Sequence, residues 1–141
     1  YKDRENYYEK ARSDFKLAYK LKSYHFPEAL NSIGIIDTER GDLEQAEANF
    51  KTAIKQNRAF SDAYSNLGEV YYRAKKYDEA IANYNQAIAI APYEPVYYLN
   101  KAYAYTEMKD YIKACNSAKI AEELGASEVY DFLSKAYNFC K

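Results

Sequence analysis

The chain has little glycine, proline or cysteine, and it has no tryptophan. Its 141 residues include four glycines and three prolines, and valine and threonine number three each beside 21 alanines. Strands of β-sandwiches are rich in β-branched residues, and disordered segments are rich in proline and glycine, so both classes are excluded. A chain of this length can bury a hydrophobic core of its own.

Charge and hydropathy exclude further classes of protein. Twenty basic and 21 acidic residues give a net charge of −1, so no field of the whole molecule favours nucleic acid or an anionic membrane. The apolar runs are a few residues long, far short of the ~20 residues that span a bilayer, and no signal peptide is recognisable. The chain begins at Tyr1 without a methionine, and we interpret it as a piece of a longer protein. The compartment of that protein stays open, with the cytoplasm weakly favoured.

Candidate residues for metal binding or catalysis are few. Cys115 and Cys140 lie 25 positions apart without a CxxC motif, and His25 is the single histidine, so a zinc ligand set is incomplete. A disulfide would need Cα atoms within about 7 Å, which spacing alone cannot test, and we expect two reduced cysteines on helices. The sequence has no glycine-rich phosphate loop and no Ser/His/Asp set. We therefore predict no enzyme, no cofactor and no metal.

An internal repeat of about 34 residues runs through the chain. Small and large residues recur at this period, and such self-similarity is typical of solenoids built from one repeated unit. Two alanine positions recur with spacings of 35, 34 and 34 residues: Ala11, Ala46, Ala80 and Ala114, and then Ala18, Ala53, Ala87 and Ala121. Large residues recur at Leu30, Tyr64, Tyr98 and Phe132, with small residues four positions later at Gly34, Gly68, Ala102 and Ala136.

The pattern within each unit predicts a helix hairpin. Two periodic segments of about 13 residues are separated by a short polar turn, and small residues at the crossing let two antiparallel helices approach to 8–10 Å. Pro27, Pro92 and Pro95 interrupt the helices between units. The predicted helices cover residues 6–22, 27–39, 43–56, 61–73, 77–90, 95–107, 111–124 and 128–140.

These residues resemble the tetratricopeptide repeat. The central unit carries the signature most fully, at Tyr64, Leu67, Gly68, Tyr71, Ala80, Tyr84, Ala87 and Pro92. Over three units, 19 of 24 signature positions hold the expected class of residue. The five departures are Asp37 for Tyr, Arg58 and Ala126 for Pro, Lys101 for Leu and Ala118 for Phe. We expect Lys101 and its equivalent Lys135 to be paired with a carboxylate or to keep the ammonium group in water above a covered stem.

The resemblance implies an all-α fold, a right-handed superhelical solenoid of antiparallel helix hairpins with about eight helices. Its units would be the second half of a repeat in 1–26, full repeats in 27–60, 61–94 and 95–128, and the first helix of a further repeat or a cap in 129–141.

The resemblance also implies a binding surface, because in this family the first helices line a concave groove. The corresponding residues grade from polar to aromatic and aliphatic along the chain, a composition that supplies binding anchors at its apolar end. They are Glu28, Asn31, Ile35 and Thr38; Asp62, Ser65, Glu69 and Tyr72; Val96, Leu99, Tyr103 and Thr106; and Tyr130, Leu133 and Tyr137. We predict a non-catalytic adapter that binds a peptide or partner segment there.

Three other functions are alternatives to this one. The family's chaperone-binding subclass holds a carboxylate with two lysines and an arginine, and here those positions are Asn31, Val96 and Asn100. Of its five binding positions only the asparagine at Asn66 agrees, so we do not expect that specificity. RNA binding is not expected, because the predicted groove residues include acidic but no basic side chains. The alternative that stays open is an assembly or scaffold segment that acts through the ends of the solenoid or by self-association. It is suggested by the apolar last segment around Phe132 and Phe139, which forms a poor cap unless more chain follows.

Overall fold

The structure is a computed structural model, and it describes residues 2–127 and 140. Seven α-helices lie within this part of the chain: α1 (Lys2–Leu21), α2 (Pro27–Arg40), α3 (Leu43–Gln56), α4 (Ser61–Arg73), α5 (Tyr77–Ile90), α6 (Pro95–Glu107) and α7 (Tyr111–Glu123). The predicted all-α fold of repeated helix hairpins is confirmed. The helix predicted for 128–140 falls almost entirely outside the described residues.

The predicted helix bounds are close to the observed ones except at the first helix. Helix α1 begins at Lys2, four residues before its predicted start, and Asp3 and Glu5 lie in its first turn. Carboxylates there stabilise a helix because they face the positive end of its dipole. Apolar periodicity is weak in this turn, so the sequence pattern did not reveal it.

The three first helices α2, α4 and α6 end in the same way. Repeat-equivalent residues one or two positions after the helix, Gly41, Lys75 and Lys109, have a left-handed backbone with φ of 84°, 60° and 62°. The next N–H then bonds back to a carbonyl five residues earlier, for example Lys76 N to Tyr71 O at 2.8 Å. These are Schellman caps. The 34-residue period of the sequence is therefore also a period of the backbone, which turns each first helix back against its second helix.

Small residues set the distance between the paired helices. A Cβ atom added to Gly34 would lie 2.7 Å from the Phe50 ring of α3, and one added to Gly68 would lie 2.5 Å from the Tyr84 ring of α5. Neither position has room for a methyl group. The repeated alanines of the second helices α3, α5 and α7 are all buried: Ala46, Ala53, Ala80, Ala87, Ala114 and Ala121.

The hairpins stack so that the first helices lie side by side. Each second helix contacts the next first helix, and α4 also contacts α2 and α6 directly. Large residues fill the space between hairpins, with Tyr84 and Tyr97 among the most fully buried side chains. One row of first helices and one row of second helices result.

Charged groups of α1 and α2 form ion pairs across their contact. The Arg12 Nε lies 2.8 Å from Oδ1 of Asp37, which is fully buried, and Asn49 donates a hydrogen bond of 2.9 Å to the other carboxylate oxygen. Arg40 of α2 also pairs with Glu5 and Glu9 of α1. Asp37 stands where the repeat signature has tyrosine. At this position, polar contacts of a carboxylate with Arg12 and Asn49 take the place of aromatic packing.

The two cysteines form a disulfide, which corrects the expectation that both are reduced. Cys115 of α7 and Cys140 are bonded, with Cα atoms 5.3 Å apart. Cys140 packs against a buried cluster between α6 and α7 that includes Leu99 and Ala118. The chain therefore returns to α7 after 25 residues, and that return is a tertiary feature which cysteine spacing alone does not reveal.

Substitution of Ala80 tests the helix crossing. We expect Ala80→Leu to lower the free energy of unfolding by about 1–3 kcal/mol, because the side chain is fully buried against α4 and a larger one overpacks the crossing. Ala82→Leu makes the same change at an exposed position of the same helix and is expected to alter stability by less than about 0.5 kcal/mol. Urea unfolding followed by circular dichroism measures both, and equal losses would contradict the proposed packing.

Removal of the disulfide tests the return of the chain to α7. The double variant Cys115→Ser/Cys140→Ser is expected to unfold with a free energy about 3 kcal/mol lower than the oxidised protein, because the bond closes a 25-residue loop in the unfolded chain. The comparison uses urea unfolding without reductant. Alkylation and mass spectrometry of the unfolded wild type should find no free thiol, and two labelled thiols would show that the bond is absent.

Candidate functional site: the concave surface of the first helices

Two pockets open between neighbouring first helices. The α2–α4 pocket has a volume of about 70 Å³ and is lined by Ile35, Thr38, Glu39, Phe50, Asn66 and Glu69. The α4–α6 pocket has a volume of about 340 Å³ and is lined by Glu69, Tyr72, Tyr84, Asn100 and Tyr103. Glu69 is shared, so the two pockets are adjacent along the row of first helices.

The pockets are built from equivalent positions of the repeat. One period of 34 residues relates Ile35 to Glu69, Thr38 to Tyr72, Phe50 to Tyr84, Asn66 to Asn100 and Glu69 to Tyr103. In each pocket, side chains three or four positions apart project from one face of a helix, as helical geometry requires. A ring from the second helix forms part of the wall. The repeat thus forms two pockets at equivalent places, and the side chains that line them differ in polarity and size.

Polar contacts order the α2–α4 pocket. Arg73 donates to Glu69 Oε1 at 2.7 Å, to Glu39 Oε1 at 3.1 Å and to the Thr38 carbonyl at 3.2 Å. Its hydrogen bond to Glu69 raises the pKa of Arg73. Beside it, the amide of Asn66 donates to Oδ1 of Asn31 at 3.0 Å. The bonds to Glu39, to the Thr38 carbonyl and to Asn31 join α4 to α2 within the row of first helices.

The α4–α6 pocket is aromatic and acidic. Burial raises the pKa of Tyr72, and the nearby negative charges of Glu107 and Glu69 raise it further. The Tyr72 ring lies 5.7 Å from the Tyr77 ring, tilted by 60°. Burial also raises the pKa of Tyr84, with a contribution from Glu69. Tyr72 and Tyr84 therefore stay uncharged phenols at neutral pH, in a wall that carries negative charge.

A buried tyrosine ties α6 to α4 beside this surface. The Tyr97 hydroxyl donates to Oδ1 of Asp62 at 2.6 Å and lies 3.2 Å from the Ser61 hydroxyl. Burial, together with the bond to Asp62, raises the pKa of Tyr97 to about 12. Asp62 is a predicted groove residue, and the structure shows that one of its oxygens already accepts a bond from the neighbouring helix.

The structure places the predicted groove residues in four groups. The exposed ones are Glu28, Ile35, Asp62, Val96 and Tyr103, and the half-buried ones are Asn31, Glu69, Tyr72 and Thr106. Thr38, Ser65 and Leu99 are buried, with 5%, 6% and 7% of their surface exposed, so they offer a ligand little surface. Tyr130, Leu133 and Tyr137 lie outside the described residues. Ile35, Thr38, Glu69, Tyr72 and Tyr103 line the two pockets.

The predicted residue list omitted several pocket residues. The predicted groove residues do not include Asn66, Asn100 or Glu39, although each of the three lines a pocket. The 34-residue equivalence of Asn66 and Asn100 is a signal that could have found them. Tyr84 stands at a signature position, and Phe50 is its equivalent one period earlier. Both rings are buried, yet each also forms part of a pocket wall.

Other candidate sites are weaker. Lys101 is half-buried, and burial lowers its pKa; no ion pair joins it to another described residue, in keeping with a covered stem. In residues 2–127 and 140, no three His, Cys, Asp or Glu side chains are grouped so that they could hold a metal ion. None of the helices α1 to α7 is long and apolar enough to cross a membrane.

Comparison with known proteins identifies the repeat. The family model described as a tetratricopeptide repeat matches residues 33–95. None of the curated protein sequences compared with the chain matches it significantly.

Solved structures of tetratricopeptide-repeat proteins share the fold. The Arabidopsis OM64 TPR domain has a TM-score of 0.76 and 18% identity, over 79% of this chain and 94% of that one. MamA has a TM-score of 0.81 and 19% identity, over 97% and 81%. The first TPR of Spaghetti (RPAP3), bound to the HSP90 peptide SRMEEVD, has a TM-score of 0.74 and 18% identity, over 79% and 90%.

The resemblance inferred from the sequence is therefore confirmed. The family model shows the tetratricopeptide repeat over its matched segment, and the solved structures show the fold over most of the chain. These comparisons identify no subclass. Tetratricopeptide repeats are typically non-catalytic modules that bind protein or peptide partners.

Titration of Tyr97 tests the contact between α4 and α6. The difference between the absorbance titrations of the wild type and of Tyr97→Phe reports the ionisation of Tyr97 alone. We expect its midpoint near pH 12, against about 10 for an ordinary tyrosine. Because the folded state favours the neutral phenol, the stability that Tyr97 contributes is fully present below about pH 10 and is lost as the pH rises through 12. Absorbance at alkaline pH measures this difference, and a midpoint near 10 would show that the hydroxyl is neither buried nor bonded to Asp62.

Proposed function

We propose that the concave surface of α2, α4 and α6 binds an extended segment of a partner protein and performs no reaction on it. The observation that carries this proposal is the pair of equivalent pockets, which lie side by side on one face and share Glu69. A row of similar pockets suits a chain molecule whose side chains repeat at regular intervals.

The spacing of the pockets supports a peptide as the ligand. Packed helices lie 8–10 Å apart, and each pocket occupies the gap between two neighbouring first helices. In the extended polyproline II conformation, three residues span about 9 Å and every third side chain points to the same face. A peptide laid across the first helices can therefore place one side chain in each pocket with two residues between them.

The amide side chains support binding through the peptide backbone. Asn66 and Asn100 line successive pockets at equivalent positions of α4 and α6. An asparagine side chain carries both a donor and an acceptor, as a peptide bond does, so it can pair with a backbone in either sense. Backbone pairing would hold the peptide without regard to its sequence, and the pockets would select its side chains.

The charge of the surface separates this chain from one structural neighbour. The peptide SRMEEVD named with RPAP3 contains three acidic residues. The pockets here contain Glu39 and Glu69, Glu107 lies close enough to raise the pKa of Tyr72, and Arg73 is already paired with Glu39 and Glu69. Acidic side chains would meet repulsion, so we expect the partner segment to be neutral or basic.

A second candidate function is assembly through helix α1. Ala11, Phe15 and Ala18 occupy signature positions whose equivalents in α3, such as Phe50, are fully buried, yet here they are only half-buried. Within residues 2–127, α1 packs chiefly against α2. Its other side can accept a further helix, and a second copy of the chain is one source of such a helix.

Groove substitutions separate the two candidates. We expect the double variant Tyr72→Ala/Tyr103→Ala to lose a protein that the wild type captures from a lysate of the source organism, because both rings line the α4–α6 pocket. Mass spectrometry of the captured material measures the loss. The control Tyr24→Ala/Tyr93→Ala removes two exposed tyrosines that line neither pocket, and circular dichroism shows whether each variant folds.

Each outcome bears on one candidate. A partner retained by the groove variant and by its control would contradict binding in the concave surface. Capture of copies of the chain alone would favour assembly through α1.

A further inference from the structure

We propose that the α4–α6 pocket receives a basic side chain, lysine or arginine, of the bound peptide, between Tyr72 and Tyr103 and against Glu69. This inference rests on the proposed function and adds the chemical class of the ligand at one pocket. The volume of about 340 Å³ is at the lower end of the range for ligand pockets and suits one long side chain.

The electrostatics of the pocket favour a cation. Glu69 lies in its wall, and the carboxylate of Glu107 is close enough to Tyr72 to raise the pKa of that hydroxyl. Arg73 bonds to Oε1 of Glu69 at 2.7 Å, but its other bonds are to Glu39 and to the Thr38 carbonyl, so its guanidinium group faces α2. One cation against three carboxylates leaves the region with a net negative charge, which a basic side chain of the ligand would balance.

The aromatic walls favour the same ligand. The face of a tyrosine ring attracts a cation, and the attraction grows where water is partly excluded. Within this chain, Lys76 Nζ lies 5.9 Å from the centre of the Tyr71 ring, and Lys113 Nζ lies 5.5 Å from that of Tyr105. The chain thus already packs ammonium groups over rings at two repeat-equivalent tyrosines. A lysine of the ligand would repeat this contact in the pocket.

The neighbouring pocket shows why the cation is assigned here. In the α2–α4 pocket, Ile35 replaces Glu69 and Thr38 replaces Tyr72 at equivalent positions, and the volume is about 70 Å³. Glu69 is present there too, but Arg73 bonds to it from that side. That pocket suits a small apolar side chain, so the two pockets would bind different side chains of one peptide.

Selection from a peptide library tests the inference without a known partner. The wild-type chain is used to select from displayed random dodecapeptides, and we expect the recovered sequences to share lysine or arginine at one position. A synthetic peptide from the selection is then measured by isothermal titration calorimetry. Glu69→Gln is expected to weaken its binding about tenfold, whereas the matched control Glu79→Gln, at an exposed position of α5, leaves it unchanged.

A double-mutant cycle locates the cation. Replacing the shared lysine of the peptide by norleucine keeps the stem and removes the charge. This change is expected to weaken binding to the wild-type protein about tenfold. It should have little effect on binding to the Glu69→Gln variant, because the two substitutions remove the same interaction. Tyr103→Phe keeps the ring and should retain affinity, while Tyr103→Ala should lose about as much as the charge removal.

The outcomes separate this inference from the proposed function. Two results would overturn the cation site and leave the groove as the binding surface. In one, the selected peptides bind less tightly to the Tyr72→Ala variant but share no basic position. In the other, the lysine of the peptide contributes to affinity independently of Glu69. Peptides indifferent to Tyr72→Ala and Tyr103→Ala, or a selection that recovers none, would overturn both. Weaker binding at higher salt is expected of the lysine peptide and not of its norleucine form.

Discussion

Close contact between the helices of each hairpin is the constraint on which the concave surface depends. At Gly34 and Gly68 the first helix has no room for a Cβ atom, because the ring of Phe50 or Tyr84 from the second helix fills that space. A ring held this firmly has a defined position, and one edge of it becomes a pocket wall. Packing of the core and the shape of the binding surface are therefore one property of the repeat.

The repeat divides its positions between scaffold and recognition. Most signature positions hold the small and aromatic residues that bury each hairpin against the next, with 19 of 24 occupied by the expected class. Positions that face the pockets vary freely: the same place in three units holds Ile35, Glu69 and Tyr103. Such variation leaves the backbone unchanged because these side chains meet solvent or a ligand instead of the core. A solenoid can thus present a different chemistry in each gap between first helices.

The sequence predicts the fold well because the fold is local and repeated. A 34-residue period, with small residues at crossings, is enough to give six helices with bounds within about one residue, while the first turn of α1 lacks apolar periodicity and was missed. The site is predicted in part. Its row of helices follows from the resemblance. The burial of Leu99 depends on packing against α7, and the burial of the Asp37 carboxylate depends on its ion pair with Arg12 of α1, and a helical period specifies neither contact. The disulfide between Cys115 and Cys140 is likewise a tertiary contact that the sequence pattern does not specify.

Nuclear magnetic resonance of the ¹⁵N-labelled chain with a peptide selected on it tests most directly whether the concave surface is where this fold binds. We expect the largest shifts at the backbone amides of Glu69, Tyr72, Asn100 and Tyr103, because these residues line the larger pocket. Amides of the outer second helices should move little. Largest shifts along α1, or around Glu79 on α5, would contradict binding between the first helices.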